Sequence, residues 1–217
     1  MKQLVTTEEM QALDQYTMTE VGMGEDVLIE RAALAALESL GAGNFDLSNV
    51  LVLVGLGNNG ADGIALARLL HQLNITVALQ FVGNVSKAKP AVKRQLKIAE
   101  ACGVVRSEKS DFKQASLIID AIFGTGLNND LPDGLQKMVK AANHIESTVV
   151  ALDIPTGING TTGQVMGAAL KAKTTIAFGY EKAGLTKGAG KKTAGQVVVK
   201  DIGILAPKDF KFSIKAK

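Results

Sequence analysis

Three stretches of this chain set oxygen-bearing side chains among glycines, each directly after an apolar run. The first, "GLGNNGADG" at 55–63, follows "VLVLV" at 50–54 and offers Asn58, Asn59 and Asp62. The second begins at Asp120, the end of "SLIID" (116–120), and continues "AIFGTGLNND". The third begins at Asp153, the end of "TVVALD" (148–153), and continues "IPTGI" with Thr156. Carboxylates positioned beside a substrate hydroxyl exchange protons with it. With 2 histidines and 1 cysteine in the chain, no His/Cys cluster argues for zinc.

The first loop also spells G-x-G-x-x-G through Gly55, Gly57 and Gly60. A dinucleotide-binding oxidoreductase adds an acid about 20 residues later, at the end of the second strand, to hold the ribose hydroxyls. Here that strand and its end read "VALQFVGN" (77–84) and offer Gln80 and Asn84 but no acid, so an NAD-dependent dehydrogenase is disfavoured. Asp62 repels phosphate unless it turns away, caps the following helix or is neutralised by a cation. The glycines allow close backbone approach, and a helix N-terminus favours anions. The loop thus fits a ligand with phosphate and other polar parts. A second Gly-Lys stretch, "GAGKKT" (188–193), is no Walker loop. Leu185 stands where its first glycine belongs, and Lys192 where its Ser/Thr belongs.

These residues need a scaffold, and the hydrophobic pattern supplies one. Thr6 and Glu9 read as a capping box for a helix through about Thr19, and a second helix covers about 26–41. From Val50, apolar strands alternate with helices. The strands are 50–54, 76–82, 116–120, 148–153, 174–179 and 195–200, and the helices about 61–73, 90–102 and 133–145. Near-continuous apolar strands between helices predict a mostly parallel, doubly wound sheet covered on both faces, with the two early helices in front. In such folds ligands bind beyond the carboxyl ends of the strands. All three stretches then share one edge, with "YEKAGL" (180–185) after the strand at 174–179. The Gly/Lys-rich segment 182–195 reads as a mobile loop.

The totals agree with one domain over 1–217, the tail from about 206 being peripheral. The chain is 47% hydrophobic and 21% charged, with net charge +3, which calls for no nucleic-acid partner. The late lysines at 187, 191, 192, 200, 208, 211, 215 and 217 read as solvated surface. A single cysteine, Cys102, excludes an intrachain disulfide and fits a reducing cytosol; it reads as buried filler at a helix end. No apolar run approaches the ~18 residues of a membrane span, and the start lacks an apolar signal core, so a cytoplasmic place is expected. His71 and His144 fall on helices away from the strand ends.

"GLGNNGADG", "DAIFGTGL" (120–127), "LDIPTGI" (152–158) and "FGYEKAGL" (178–185), in this order, resemble the NAD(P)H-hydrate epimerase family. "VLIERAA" (27–33) and "GQVVVKDIGI" (195–204) extend the resemblance over about residues 5–205. It implies a Rossmann-like three-layer α/β/α sandwich. It implies an isomerase of metabolite repair, interconverting the R and S hydrates of damaged NADH and NADPH (NADHX and NADPHX). A separate dehydratase would then restore the cofactor, and the subunit would form a homodimer with one potassium ion each. By position, Asn58, Asn59, Gly60, Ala61 and Asp62 contact the substrate, as do Gly124, Thr125, Gly126, Leu127, Asn128, Asn129 and Asp130, and Asp153. Asn59, Asp120 and Thr156 hold potassium. The chain departs from the family at Ala61, where a second glycine is usual, at Thr156, where Ser is usual, and at Asn159-Gly160, where acids are common. Ala is harmless at 61 if the helix starts there. The resemblance and the strand-end position make Asp153 the expected acid/base group, with Lys87 or Lys89 as possible assistants. The alternative is a non-catalytic nucleotide- or RNA-binding scaffold of the same fold.

Overall fold

The computed structural model describes residues 3–107 and 112–215. In chain order the main elements are β1 (Gln3–Val5), α1 (Thr7–Thr19), α2 (Glu25–Ala42), β2 (Val50–Val54), α3 (Asn58–Gln72), β3 (Val77–Phe81), α4 (Pro90–Ala101) and β4 (Val105–Arg106). There follow β5 (Leu117–Ala121), α5 (Asp133–Ala142), β6 (Thr148–Leu152), β7 (Thr174–Phe178), β8 (Glu181–Lys182), α6 (Gly188–Thr193), β9 (Gln196–Lys200) and β10 (Ile214–Lys215). Seven strands form one sheet in the order β4-β3-β2-β5-β6-β7-β9, and every pairing in it is parallel. A small second sheet has the order β10-β1-β8.

The period-2 geometry of a strand divides the core into two layers. Val50, Val52 and Val54 of β2 face a cluster built with α2, α3 and α4, while Leu51 and Leu53 face a separate cluster that includes Val139 and Ala142 of α5. Both faces are therefore covered, and the expected three-layer α/β/α sandwich with a doubly wound parallel sheet is what the chain forms. The strand order reverses between β2 and β5. That switch point leaves a crevice beyond their carboxyl ends.

The capping box at Thr6 is present. The Glu9 N–H donates to Thr6 Oγ1 at 3.1 Å, and the Thr6 N–H donates to Glu9 Oε2 at 2.8 Å. Helix α1 then crosses the carboxyl edge of the large sheet. Thr7 N–H donates to Thr161 Oγ1 at 2.9 Å, and Gln11 Nε2 donates to the Thr125 carbonyl at 3.0 Å.

Several expectations need correcting. Helix α3 starts at Asn58, not 61, with Gly57 as N-cap, so Asp62 lies inside the helix and caps nothing. Ala61 is a buried helical residue without positive φ, and alanine costs nothing there. Segment 182–195 is not a mobile loop: it contains β8, a 3-10 turn at Ala183–Thr186, and α6. Its glycines serve close packing. A Cβ on Gly184 would lie 2.4 Å from the Asn159 carbonyl, and one on Gly190 would lie 2.0 Å from the Gly184 carbonyl. Cys102 is half-buried at the end of α4 rather than core filler. The tail is docked: β10 pairs antiparallel with β1, and Phe210 and Phe212 pack against the core. No helix among the described residues is long and apolar enough to cross a membrane.

Thr6→Ala removes one half of the reciprocal cap. It should lower stability by about 1 kcal/mol in urea unfolding, with no loss of secondary structure by circular dichroism.

Candidate functional site

The crevice at the switch point is a cleft of about 660 Å³. Helix α1 forms one wall through Met10 and Asp14, and the loops after β2 and β5 form another through Asn58 and Gly124 to Gly126. Asp153 and Lys182 complete it from the ends of β6 and the small sheet. Glycines let these loops touch. A Cβ on Gly55 would sit 1.9 Å from the Ile122 carbonyl, and one on Gly60 would sit 2.1 Å from the Gly55 carbonyl. A second depression of about 470 Å³ lies at the amino ends of β5 and β6, beside Ser116, His144 and Ser147. The strand-end carboxylates are at the other edge, so the chemistry belongs to the first cleft.

Beneath that cleft lies a buried oxygen network. Asp120 is fully buried and accepts three hydrogen bonds, from the Thr156 N–H (2.7 Å), Thr156 Oγ1–H (2.7 Å) and Ile122 N–H (3.2 Å). Burial still pushes its carboxyl up to about 6, against the downward pull of those bonds. Asn59 Nδ2 donates to the carbonyls of Phe123 (2.9 Å) and Leu152 (3.1 Å), tying α3 to the ends of β5 and β6. Its Oδ1 is buried without a hydrogen-bond partner. An orphaned buried amide oxygen costs about 1–3 kcal/mol unless something satisfies it. A cation does so, and the oxygens of Asn59, Asp120 and Thr156 are of the right chemical type.

Facing the cleft are charges of both signs. Lys182 is 1% exposed; its Nζ forms an ion pair with Asp153 Oδ1 and donates to the Phe178 carbonyl at 2.7 Å. Asp153 has a left-handed backbone (φ 65°), unusual for a residue with a side chain, and its N–H donates to the Ile176 carbonyl at 2.7 Å. Its other oxygen leaves no room at Gly124, where a Cβ would be 2.7 Å away. Burial pushes Asp14 up to about 6, with Asp153 adding to the rise and Lys182 opposing it. Asp62 is held well above the ordinary carboxylate range by burial first, then by Asp153, Asp14 and Glu25.

Of the positions singled out in the sequence, Asn58, Asn59, Asp62, Gly124, Thr125, Gly126 and Asp153 line the cleft. Gly60 and Ala61 are buried behind it, and Asp120 and Thr156 lie beneath. Leu127 is in the core, and Asn128, Asn129 and Asp130 are exposed away from the lining. Of the two lysines, Lys89 reaches the rim, where Nζ donates to Asn58 Oδ1 at 3.2 Å, and Lys87 does not line the cleft. Two functional candidates were missed. Lys182 sat inside a quoted motif without a role. Asp14 carried a legible signal: it is an acid beside the buried row Met10, Leu13, Thr17 of α1.

Fold and cleft define a Rossmann-like α/β/α protein with a polar ligand site at the switch point of its sheet. The family described as YjeF-related protein N-terminus matches residues 25–184, and the chain belongs to it. It is 63% identical over 215 residues to a protein of Leuconostoc kimchii named NAD(P)H-hydrate epimerase, covering 99% of this chain and 96% of that one. A protein of the same name from Leuconostoc mesenteroides is 64% identical, covering 99% and 97%. Oenococcus oeni has another at 40%, covering 94% and 98%. The fold is shared with the crystal structure of a yeast protein, with TM-score 0.79, 18% identity and coverage of 98% and 94%.

The raised carboxyls have a consequence for stability. A carboxyl whose folded pKa exceeds its unfolded value favours folding when protonated, so its stabilising effect fades as pH rises through the folded value. For Asp14 that value is about 6, and Asp62 acts in the same sense. Glu8 and Glu9, held below their ordinary values, act in the opposite sense only below about pH 4.5. With Asp120 also raised to about 6, the protein should therefore melt higher at pH 5 than at pH 7, and Asp14→Asn should reduce that difference in scanning calorimetry.

Proposed function

We infer that this chain is an NAD(P)H-hydrate epimerase, interconverting the R and S forms of hydrated NADH and NADPH. The close similarity to proteins of that name supports the activity. The observation that carries the chemistry is the Asp153–Lys182 pair held at a strand end and open to the cleft.

The substrate's reactive carbon bears a hydroxyl and is bonded to a ring nitrogen. Protonation of the hydroxyl lets the C–O bond break, and its electron pair leaves with water. The nitrogen lone pair forms a C=N bond, giving a ring cation. Water adds to the opposite face and loses a proton, giving the other epimer without redox change. Asp153 serves as acid/base group, and its negative charge, with that of the neighbouring carboxyls, favours the cation. Lys182 orients Asp153 and limits the net negative charge. Asp62, held above the ordinary carboxylate range by burial, faces the bound substrate from α3. Asn58 and the backbone of Gly124 to Gly126 position the nucleotide, with Lys89 at the rim favouring its phosphates.

Asn59, Asp120 and Thr156 would hold one potassium ion per subunit. The partnerless oxygen of Asn59 supports this assignment. When bound, the ion supplies positive charge that offsets the buried Asp120 carboxylate. The same reading gives a homodimer in the cytoplasm whose product passes to a separate dehydratase.

Purified protein incubated with a single NADHX epimer should bring it to the R/S mixture far faster than buffer alone, followed by chiral chromatography. Asp153→Asn should lower turnover by about 100-fold or more while remaining folded. Exchange of potassium for lithium should also lower it. Binding without interconversion by the unmodified protein would instead make it a scaffold.

A further inference from the structure

Epimerisation makes a demand that Asp153 alone does not meet. Hydroxyl leaves one face of the ring and water arrives at the other, so two groups must handle protons, one for each face. The second has to come from a different wall of the cleft.

The cleft lining contains three aspartates around one buried ammonium: Asp14 from α1, Asp62 from α3, Asp153 after β6, and Lys182 from β8. One ammonium faces three carboxyls, and burial first, then the neighbouring charges, raises Asp14 and Asp62. The other charged groups of the lining are engaged elsewhere. Glu25 pairs with Arg94 at 2.7 Å, and Lys89 donates to Asn58. Of the two aspartates left, Asp62 lies deeper, on α3, where burial first and then Asp153 and Asp14 hold its carboxyl well above the ordinary range. Asp14 is on the wall that α1 lays across the strand ends, anchored by Gln11 to the Thr125 carbonyl and by Thr7 to Thr161. Asp14 is a half-buried acid on the inward face of that helix, and among the described residues no hydrogen bond holds its side chain.

Resting on the epimerase reading, we propose that Asp14 is the second catalytic acid/base residue, exchanging protons with the substrate oxygen on one face of the ring while Asp153 serves the other. In one direction protonated Asp14 gives its proton to the leaving hydroxyl, and the Asp153 carboxylate takes one from the incoming water. In the reverse direction the roles exchange. The pair carries one proton in either case, and solvent resets it. Because both directions use the same one-proton form, their kcat/KM values share one bell-shaped pH profile. Loss of the proton from Asp14, near pH 6 in the free enzyme, sets its alkaline flank.

The test uses the full chain, single-epimer NADHX and three proteins: unmodified, Asp14→Asn and Asp14→Glu. Asp14→Asn should lower kcat by about 100-fold or more, with little change in KM, and its residual activity should lack the alkaline flank. Asp14→Glu, which restores a carboxyl, should recover part of kcat and the flank. Circular dichroism and melting on each variant confirm the fold. If the unmodified enzyme turns over and Asp14→Asn keeps its kcat and flank, or loses only KM, the proposal is overturned and the epimerase reading stands. An inactive unmodified protein overturns both.

Discussion

The ion pair between Lys182 and Asp153 is the constraint on which the rest of the site depends. A lysine 1% exposed is unfavourable unless its charge is met, and here Asp153 and the Phe178 carbonyl meet it. The pair joins two separate parts of the fold. Asp153 ends a central strand of the large sheet, and Lys182 lies in the small sheet, opposite Val5 of β1. The chain's first strand, its last strand and the ends of β6 and β7 are thus held in one arrangement. Asp153 adopts a left-handed backbone there, a conformation that persists only where its surroundings over-determine it.

Around that pair, glycines do a different task from the one usually assigned to them. Gly55 and Gly60 let the loop after β2 rest directly on the loop after β5 and on itself. Gly124 leaves room for the Asp153 carboxylate. Three loops converge closely enough to bury Asp120 and Thr156 under the cleft floor and to bury Asn59 within it. That burial explains both the raised carboxyl of Asp120 and the unfilled oxygen of Asn59. Carboxyls raised by burial in this way weaken the fold as pH rises through their titration.

Much of this was legible beforehand because it is local. The reciprocal cap at Thr6 and Glu9, the apolar strands and the helices between them follow from nearest-neighbour sterics and from hydrophobic period. The carboxyl-edge position of Asp120 and Asp153 follows from a parallel sheet. Less legible was segment 182–195. Its glycines and lysines have the composition of a flexible loop, yet Gly184 and Gly190 are small because backbone passes 2.0–2.4 Å from where a Cβ would sit. Composition does not distinguish a glycine needed for freedom from one needed for lack of bulk.

From its own pattern the chain determined the class of fold, the edge on which the cleft opens and the strand-end carboxylates, since period and turn chemistry act over a few residues. Only the tertiary structure decided which charges meet. Asp14 and Lys182 are 168 positions apart (182 − 14) and share one cleft because α1 crosses the strand ends and β8 pairs with β1. Their coupling depends on distance and on exclusion of water, and neither is written in any local stretch of residues.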